Sequence, residues 1–183
     1  MFRITRMFLP LIFFGLIGFF LWRGLYNDPH RIPSALIDQA MPSFKMTNLF
    51  YPNENITQKI FNGHVSILNV FASWCMYCLS EHAIMMDLAR PGDVEIYGLN
   101  YKDNREKAMK WLERYGNPFH KIIYDPTGQL AMNLGVYGTP ETFIIDAQGI
   151  VRYRYAGPIT QQVLQQSLMP EIERLKQEEL QHD

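Results

Sequence analysis

The chain has 183 residues and carries 17 basic and 18 acidic side chains, so its formal net charge is −1. This length suits a single folded domain, and a near-neutral charge gives no positive field that would attract a nucleic-acid backbone. Two cysteines are too few for a disulfide-stapled scaffold or a four-thiolate zinc site. We therefore expect one globular domain with no nucleic-acid partner, in which the two cysteines act together.

An uncharged apolar run occupies the N-terminal region. No charged residue lies between Arg6 and Arg23, and the apolar character extends from Met7 to Tyr26. A helix of this length spans a bilayer core, and the basic residues before it favour a cytoplasmic N-terminus. We predict a transmembrane signal-anchor at residues 1–26. A cleaved signal peptide is the alternative, although no A-x-A cleavage pattern follows the run.

A proline-containing stretch follows the apolar run. Prolines come directly after Asp28, Ile32 and Met41, and a residue before proline favours extended backbone. The sequence therefore predicts a linker without a helix at residues 27–41 and a folded domain at residues 42–183.

Hydrophobic patterning predicts the elements of that domain. Short β-branched runs indicate strands and apolar positions at helical spacing indicate helices. The predicted strands cover residues 44–49, 65–72, 94–99, 121–124, 142–146 and 150–155, and the predicted helices cover residues 75–90, 104–115, 130–134 and 160–179. Pro91-Gly92 ends the first helix, and Pro170 is expected to interrupt or kink the last. This order predicts an α/β fold with a mixed central sheet flanked by helices.

The cysteines form a C-x-x-C motif where a buried strand passes into a helix. Cys75 falls at the helix start, where free backbone N–H groups and the helix dipole favour a thiolate. We predict that Cys75 is the nucleophile, with a thiol pKa below that of free cysteine, and that Cys78 is the shielded resolving thiol. A zinc ribbon needs a second C-x-x-C, and haem attachment needs a histidine after Cys78 where this chain has Leu79.

The residues around the pair resemble a known family. The segment FASWC and the later segment GVYGTPETF are similar to the two active-site segments of thioredoxin-like proteins. The order of motifs resembles the CcmG/DsbE family, the membrane-anchored thiol:disulfide reductases of cytochrome c maturation. The matching segments are residues 71–75, 80–82, 98–103, 116–118, 135–143 and 149–154.

The resemblance implies a thioredoxin-like fold and a set of supporting residues. It implies that Pro140 is cis and that Thr139 offers its backbone to an extended substrate. It also implies that Glu81 and Glu141 form an acidic surround for the dithiol, although the sequence alone leaves each open as a solvated surface acid. Trp74 is expected to pack beside the site, with core filling as the alternative.

The resemblance further implies a periplasmic reductase anchored once in a bacterial inner membrane. The expected substrate is apocytochrome c, or another thiol protein of cytochrome c maturation. The expected electron donor is a membrane thiol transporter of the DsbD or CcdA kind. We expect no cofactor beyond the Cys75–Cys78 disulfide and no resident metal.

One departure from the family leaves two alternatives open. The family usually has proline after the first cysteine, whereas this chain has Met76 followed by Tyr77. Proline would fix the backbone at the first helical position, so the reduction potential, and with it the direction of exchange, stays open. A dithiol oxidase or isomerase on the same fold is one alternative.

A copper chaperone is the second alternative. It would use both cysteines and His82, because soft sulfur ligands suit Cu(I).

Overall fold

The computed structural model describes residues 2–24, 36–90 and 94–182. The chain divides into two compact units, Met1–Arg31 and Ile32–Asp183. The first unit holds helix α1, Phe2–Gly24. Within the described residues, no helix meets the length and apolarity that a membrane span requires. The predicted anchor is therefore not confirmed, and residues 25–35, which include most of the predicted linker, lie outside the described part of the chain.

The second unit is built on a mixed six-stranded sheet. The six strands are β1 Gln39–Ala40, β4 Ser66–Phe71, β5 Glu95–Tyr101, β6 Lys121–Asp125, β7 Glu141–Ile145 and β8 Ile150–Ala156; a separate hairpin pairs β2 Lys45–Thr47 with β3 Asn55–Thr57. In space the strands of the larger sheet follow the order β1, β8, β7, β4, β5, β6. The three strands β4, β5 and β6 run parallel, whereas β7 is antiparallel to β4, and β8 is antiparallel to β7 and β1.

Both faces of the sheet are buried, which explains why the central strands are continuous apolar runs. Along β4, Ile67 and Phe71 belong to one hydrophobic cluster and Leu68 and Val70 to the other, as the two-residue period of a strand requires. The helices are α2 Met76–Ala89, α3 Arg105–Tyr115, α4 Gln129–Asn133, α5 Gln161–Val163 and α6 Met169–His182; a 3₁₀ turn covers Gln58–Phe61 and a π-helical turn covers Leu164–Leu168.

The order of elements confirms the predicted α/β fold with a central mixed sheet and flanking helices. The sequence missed β1, β3 and the 3₁₀ turn, because elements of two to four residues are too short to show a hydrophobic period. Gln39 pairs with Val151 and Ala40 with Ile150. Strand pairing thus begins inside the segment predicted to be a linker, before the predicted domain start at Pro42.

The C-terminal helical segment shows how the chain accommodates Pro170. Proline lacks an N–H and clashes with the carbonyl four residues earlier. The π-helical turn Leu164–Leu168 comes just before α6, and Pro170 is the second residue of α6. The expected interruption is therefore a local widening of the helix rather than a break. The Pro91-Gly92 pair predicted to end α2 lies outside the described residues.

Candidate active site

The two cysteines lie at the junction between strand β4 and helix α2. Cys75 is the N-cap residue of α2, and its Sγ accepts a hydrogen bond from the Cys78 backbone N–H at 3.0 Å. A cap residue usually uses a side-chain oxygen for this purpose. Here sulfur satisfies one of the free N–H groups of the first turn, so a negative charge on Cys75 would have a donor already in place.

The two cysteines are joined in a disulfide, with their Cα atoms 5.3 Å apart. Cys75 is 6% exposed and Cys78 is 2% exposed. The pairing agrees with the sequence prediction of a redox dithiol, and both sulfur-bearing residues belong to the hydrophobic cluster on the α2 side of the sheet. Both residues are thus largely shielded from solvent, so an incoming disulfide has a restricted approach.

The Asp103 carboxylate holds the short segment between β4 and Cys75 through hydrogen bonds. Its two carboxylate oxygens accept from the Ser73 N–H at 2.5 Å and from the Ser73 hydroxyl at 2.8 Å. The neighbouring Lys102 carbonyl accepts from the Trp74 indole N–H at 3.1 Å. Trp74 is nevertheless 58% exposed, so it lies at the surface beside the site and the core-filling alternative is excluded.

A second segment reaches the same end of the sheet. The Thr139–Pro140 peptide bond is cis, as the resemblance implies. The next residue, Glu141, opens β7 and pairs with Val70, close to the end of β4. This register brings Thr139 and Pro140 alongside the strand that leads into the dithiol.

Glu81 lies one turn beyond Cys78 on α2 and is 1% exposed. Its Oε1 accepts from Asn69 Nδ2 at 2.8 Å and its Oε2 accepts from the Ile159 N–H at 2.7 Å. Neither donor carries a charge, so these bonds only partly offset the loss of hydration. Burial raises the pKa of Glu81 to about 7. The alternative that Glu81 is a solvated surface acid is therefore excluded.

Glu141 is equally buried but has a cationic partner. Its Oε2 lies 2.8 Å from Arg154 Nε and 2.7 Å from Arg154 Nη2, and its Oε1 accepts from the Tyr137 N–H at 3.2 Å. Burial raises the pKa of Glu141, and the Arg154 guanidinium opposes that rise. The structure therefore makes Glu141 half of a buried ion pair, which the sequence did not predict.

Exposed apolar side chains border the dithiol in sequence. Met76 is 82% exposed and Tyr77 is 66% exposed, although both belong to the first turn of α2. These are the residues that replace the usual proline-containing pair of the family. With Trp74 they present an apolar rim to solvent.

His82 contributes to packing. It is buried, its Nε2 contacts the Gly116 carbonyl at 3.1 Å, and its ring packs edge-on against Trp111 at 4.5 Å between centroids. Across the described residues, no group of three or more His, Cys, Asp or Glu side chains could hold a metal ion. The structure thus lends no support to the copper-site alternative.

Sequence reasoning missed three residues that organise the site: Asn69, Asp103 and Arg154. Each makes its main contacts with residues far away along the chain, for example Asn69 with Thr142 and Asp103 with Ser73. The available signal was a polar residue inside a buried strand, since a buried polar group requires a partner. Asn69 and Arg154 both fit that description.

Fold and site together define a thioredoxin-like thiol:disulfide oxidoreductase. Residues 37–168 match the Redoxin family. Among solved structures, a secreted thiol-disulfide isomerase from Corynebacterium glutamicum aligns with a TM-score of 0.63 at 22% identity, covering 81% of this chain and 96% of that one. At this identity the likeness concerns the fold alone.

Curated relatives narrow the class to one family. The chain is 43% identical to the thiol:disulfide interchange protein DsbE of Allochromatium vinosum, over 92% of this chain and 93% of that protein. It is 44% identical to DsbE of Yersinia pestis, over 90% of each. The chain belongs to the DsbE (CcmG) family of thiol:disulfide interchange proteins, with Cys75 and Cys78 as its cysteine pair.

Proposed function

We propose that the protein is a periplasmic reductant that keeps the haem-attachment cysteines of apocytochrome c, or of an intermediary thiol protein, in the thiol form. The observation that carries the chemistry is the N-cap position of Cys75, whose sulfur already accepts an N–H of its own helix. Membership of the DsbE family supports the choice of substrate. An oxidising compartment would pair those cysteines, and a paired cysteine cannot be joined to haem.

The proposed reaction starts from the reduced dithiol. The Cys75 thiolate attacks one sulfur of the substrate disulfide, the substrate S–S bond breaks, and a mixed disulfide forms as one substrate thiolate leaves. The Cys78 thiolate then attacks the Cys75 sulfur, which restores the Cys75–Cys78 disulfide and releases the second substrate thiol. Two electrons pass from the protein to the substrate. A membrane thiol transporter of the DsbD or CcdA kind returns them.

Glu81 is the proposed base for the second step. Cys78 must lose its proton before it can attack, and a general base works best with a pKa near the working pH. Glu81 lies one turn from Cys78 on the same helix, and burial brings its pKa to about 7. In the substrate-binding step, we assign Thr139 the role of pairing its backbone with an extended substrate segment, while the exposed Trp74 contacts the substrate from the other side.

We also propose that residues 1–26 anchor the protein in the bacterial inner membrane with the catalytic domain in the periplasm. Support comes from the uncharged run between Arg6 and Arg23 and from exposed apolar side chains on α1, such as Phe14 and Phe20. Membrane fractionation with protease accessibility tests this placement: recovery of the full chain in the salt-washed soluble fraction would contradict it.

A redox titration tests the proposed direction. The protein is equilibrated with glutathione buffers of varied ratio, and its Cys75 and Cys78 thiols are counted by alkylation and mass spectrometry; separately, reduced protein is mixed in stoichiometric amount with an oxidised C-x-x-C-H peptide in the absence of glutathione. A reductase has a potential well below the glutathione poise of an oxidising compartment, about −200 mV, so the Cys75–Cys78 pair stays oxidised in buffers near that poise and the reduced protein reduces the peptide. A more oxidising couple, which leaves the peptide paired, would instead favour the oxidase or isomerase alternative.

A further inference from the structure

Among the methionines whose side chains the structure describes, only Met76 and Met132 are exposed. Met76 is 82% exposed and Met132, on α4, is 64% exposed, whereas Met41 and Met85 are buried. A thioether is oxidised only where an oxidant can reach the sulfur, and oxidation converts it to a sulfoxide. Of these methionines, Met76 is therefore the most open to oxidation.

Met76 lies at the end of α2 that carries the nucleophile. It is the first residue of the helix, directly after the N-cap residue Cys75. Helical side chains tilt toward the N-terminus of their helix, so the Met76 thioether leans toward the end at which the cysteine pair lies. Trp74 and Tyr77, the other two residues of the apolar rim, are exposed beside it. A polypeptide whose disulfide reaches Cys75 therefore passes over Met76.

The disulfide form of the protein protects its cysteines from oxidants but not its exposed methionine. Cys75 and Cys78 are bonded to each other and are 6% and 2% exposed. A peroxide attacks cysteine as the thiolate, and this form has no thiolate at the site. Oxidation of the disulfide form therefore modifies the Met76 sulfur and leaves the cysteine pair intact.

We propose that Met76 is a reversible oxidation site that regulates substrate binding, because its sulfoxide weakens the docking of a polypeptide on the apolar rim. The inference rests on the proposed function, in which a protein substrate docks beside Trp74. In the modification step, the thioether sulfur attacks one oxygen of a peroxide, the O–O bond breaks, and the second oxygen leaves as water. The sulfur loses two electrons and the peroxide gains them. A methionine sulfoxide reductase with a thiol donor returns two electrons and removes the oxygen as water.

The sulfoxide affects the docking of a polypeptide rather than the chemistry of the cysteine pair. It is polar and chiral where the thioether is apolar, and a polar group that is buried without a hydrogen-bond partner costs binding free energy. The sulfoxide adds no net charge near Cys75 Sγ and removes no hydrogen bond from it, since that sulfur accepts from the Cys78 N–H. A small disulfide that reaches Cys75 without covering the rim should therefore react as before.

The test begins with hydrogen peroxide treatment of the disulfide form of the full chain. Peptide mass spectrometry follows the gain of oxygen, and we expect Met76 to react about tenfold faster than the buried Met85. After the peroxide is removed, the cysteine pair is reduced with dithiothreitol, which is then removed. Single-turnover reduction of an oxidised C-x-x-C-H peptide is measured against peptide concentration. The half-saturating concentration should rise about fivefold with little change in the maximal rate, and methionine sulfoxide reductase should restore it. The rate with dithiobis(nitrobenzoate), a small disulfide, should stay the same.

Met76→Leu and Met132→Leu are matched variants, each compared with its own untreated sample. Leucine keeps an apolar side chain of similar volume and carries no sulfur. Peroxide should leave the half-saturating concentration of Met76→Leu unchanged and should raise that of Met132→Leu as in the wild type. A third variant, Met76→Gln, places a polar group on the rim permanently and should show the raised value without peroxide.

Three outcomes would overturn the proposal. One is an unchanged half-saturating concentration in wild-type protein that carries the Met76 sulfoxide. Another is the same rise in peroxide-treated Met76→Leu, which would place the sensitive residue elsewhere. The third is an equal loss of rate with the peptide and with dithiobis(nitrobenzoate), which would show general damage to the site.

Failure of this proposal and failure of the proposed function give different results. If the reduced wild type leaves the peptide paired, the proposed function fails. The effect of the Met76 sulfoxide is then measured in the opposite direction, as oxidation of the reduced peptide by the disulfide form, because thiol–disulfide exchange runs both ways. If the wild type reduces the peptide and the sulfoxide does not change its half-saturating concentration, only the regulatory role of Met76 fails.

Discussion

Helix α2 and the start of β7 each bury one glutamate, and the two carboxylates have different partners. Glu81 is held by an amide side chain and a backbone N–H, whereas Glu141 is held by the Arg154 guanidinium and loop N–H groups. Both side chains are 1% exposed. Burial alone therefore does not decide what a carboxylate does; the charge of its partner does.

The two glutamates therefore have different roles. With neutral partners, Glu81 changes its protonation state near neutral pH, as the proposed base for Cys78 requires. With a cationic partner, Glu141 gains an interaction that favours its charged form, and its hydrogen bonds organise a loop. The sequence resemblance gave both residues the same description, as an acidic surround of the dithiol.

We expect the largest loss of unfolding free energy when the Arg154 guanidinium is removed. Arg154→Leu leaves Glu141 buried without its partner, and breaking a buried pair in this way costs about 3–5 kcal/mol of unfolding free energy. Urea denaturation measures the loss. Adding Glu141→Gln to Arg154→Leu should restore most of it, because the uncompensated charge is removed. Equal stability of Arg154→Leu and the wild type would show that the ion pair does not support the fold.

The next effect is the change in unfolding free energy with pH that Glu81 causes. The folded pKa of Glu81 is about 7, above its ordinary value of 4.5, so the folded state keeps a proton that the unfolded state loses between these values. The Glu81 contribution is thus fully present below pH 4.5 and is lost as pH rises through 7. At about 1.4 kcal/mol per pKa unit the loss is about 3 kcal/mol.

Glu81→Gln tests that pH dependence directly. The variant cannot ionise at this position, so its unfolding free energy should fall less than that of the wild type between pH 4.5 and 8. Urea denaturation across this range provides the measurement, with the exposed Glu106→Gln as control. Parallel curves for wild type and Glu81→Gln would contradict the raised pKa.

A smaller effect is expected on the rate of the resolving step. Loss of a general base slows proton transfer by about 100-fold, so Glu81→Gln should release substrate from the mixed disulfide about 100-fold more slowly at pH 8. At pH 5 the wild-type carboxyl is itself protonated, and the two rates should converge. Single-turnover quench measurements follow the mixed disulfide, and a rate ratio that is the same at both pH values would argue against Glu81 as the base.

The helices, the longer strands and the types of the site residues could be predicted from the sequence, but the contact partners of the site residues could not. The apolar runs of β4 and β5 and the helical period of α3 were sufficient to predict these elements, because a sheet that is buried on both faces requires apolar strands and amphipathic helices. Glu81 and Glu141 were named as candidates, yet their hydrogen-bond partners Ile159 and Arg154 lie elsewhere along the chain. Such long-range contacts leave no periodic trace, and a two-residue strand such as β1 leaves none either.

The position of Cys75 at the start of α2 is the central claim, and alkylation of the reduced protein across a pH series tests it most directly. Iodoacetamide labelling followed by peptide mass spectrometry reports each thiol separately. We predict that Cys75 reacts first, with an inflection below the free-cysteine pKa of about 8.5, and that Cys78 reacts much more slowly. Equal and slow labelling of both thiols near neutral pH would contradict it.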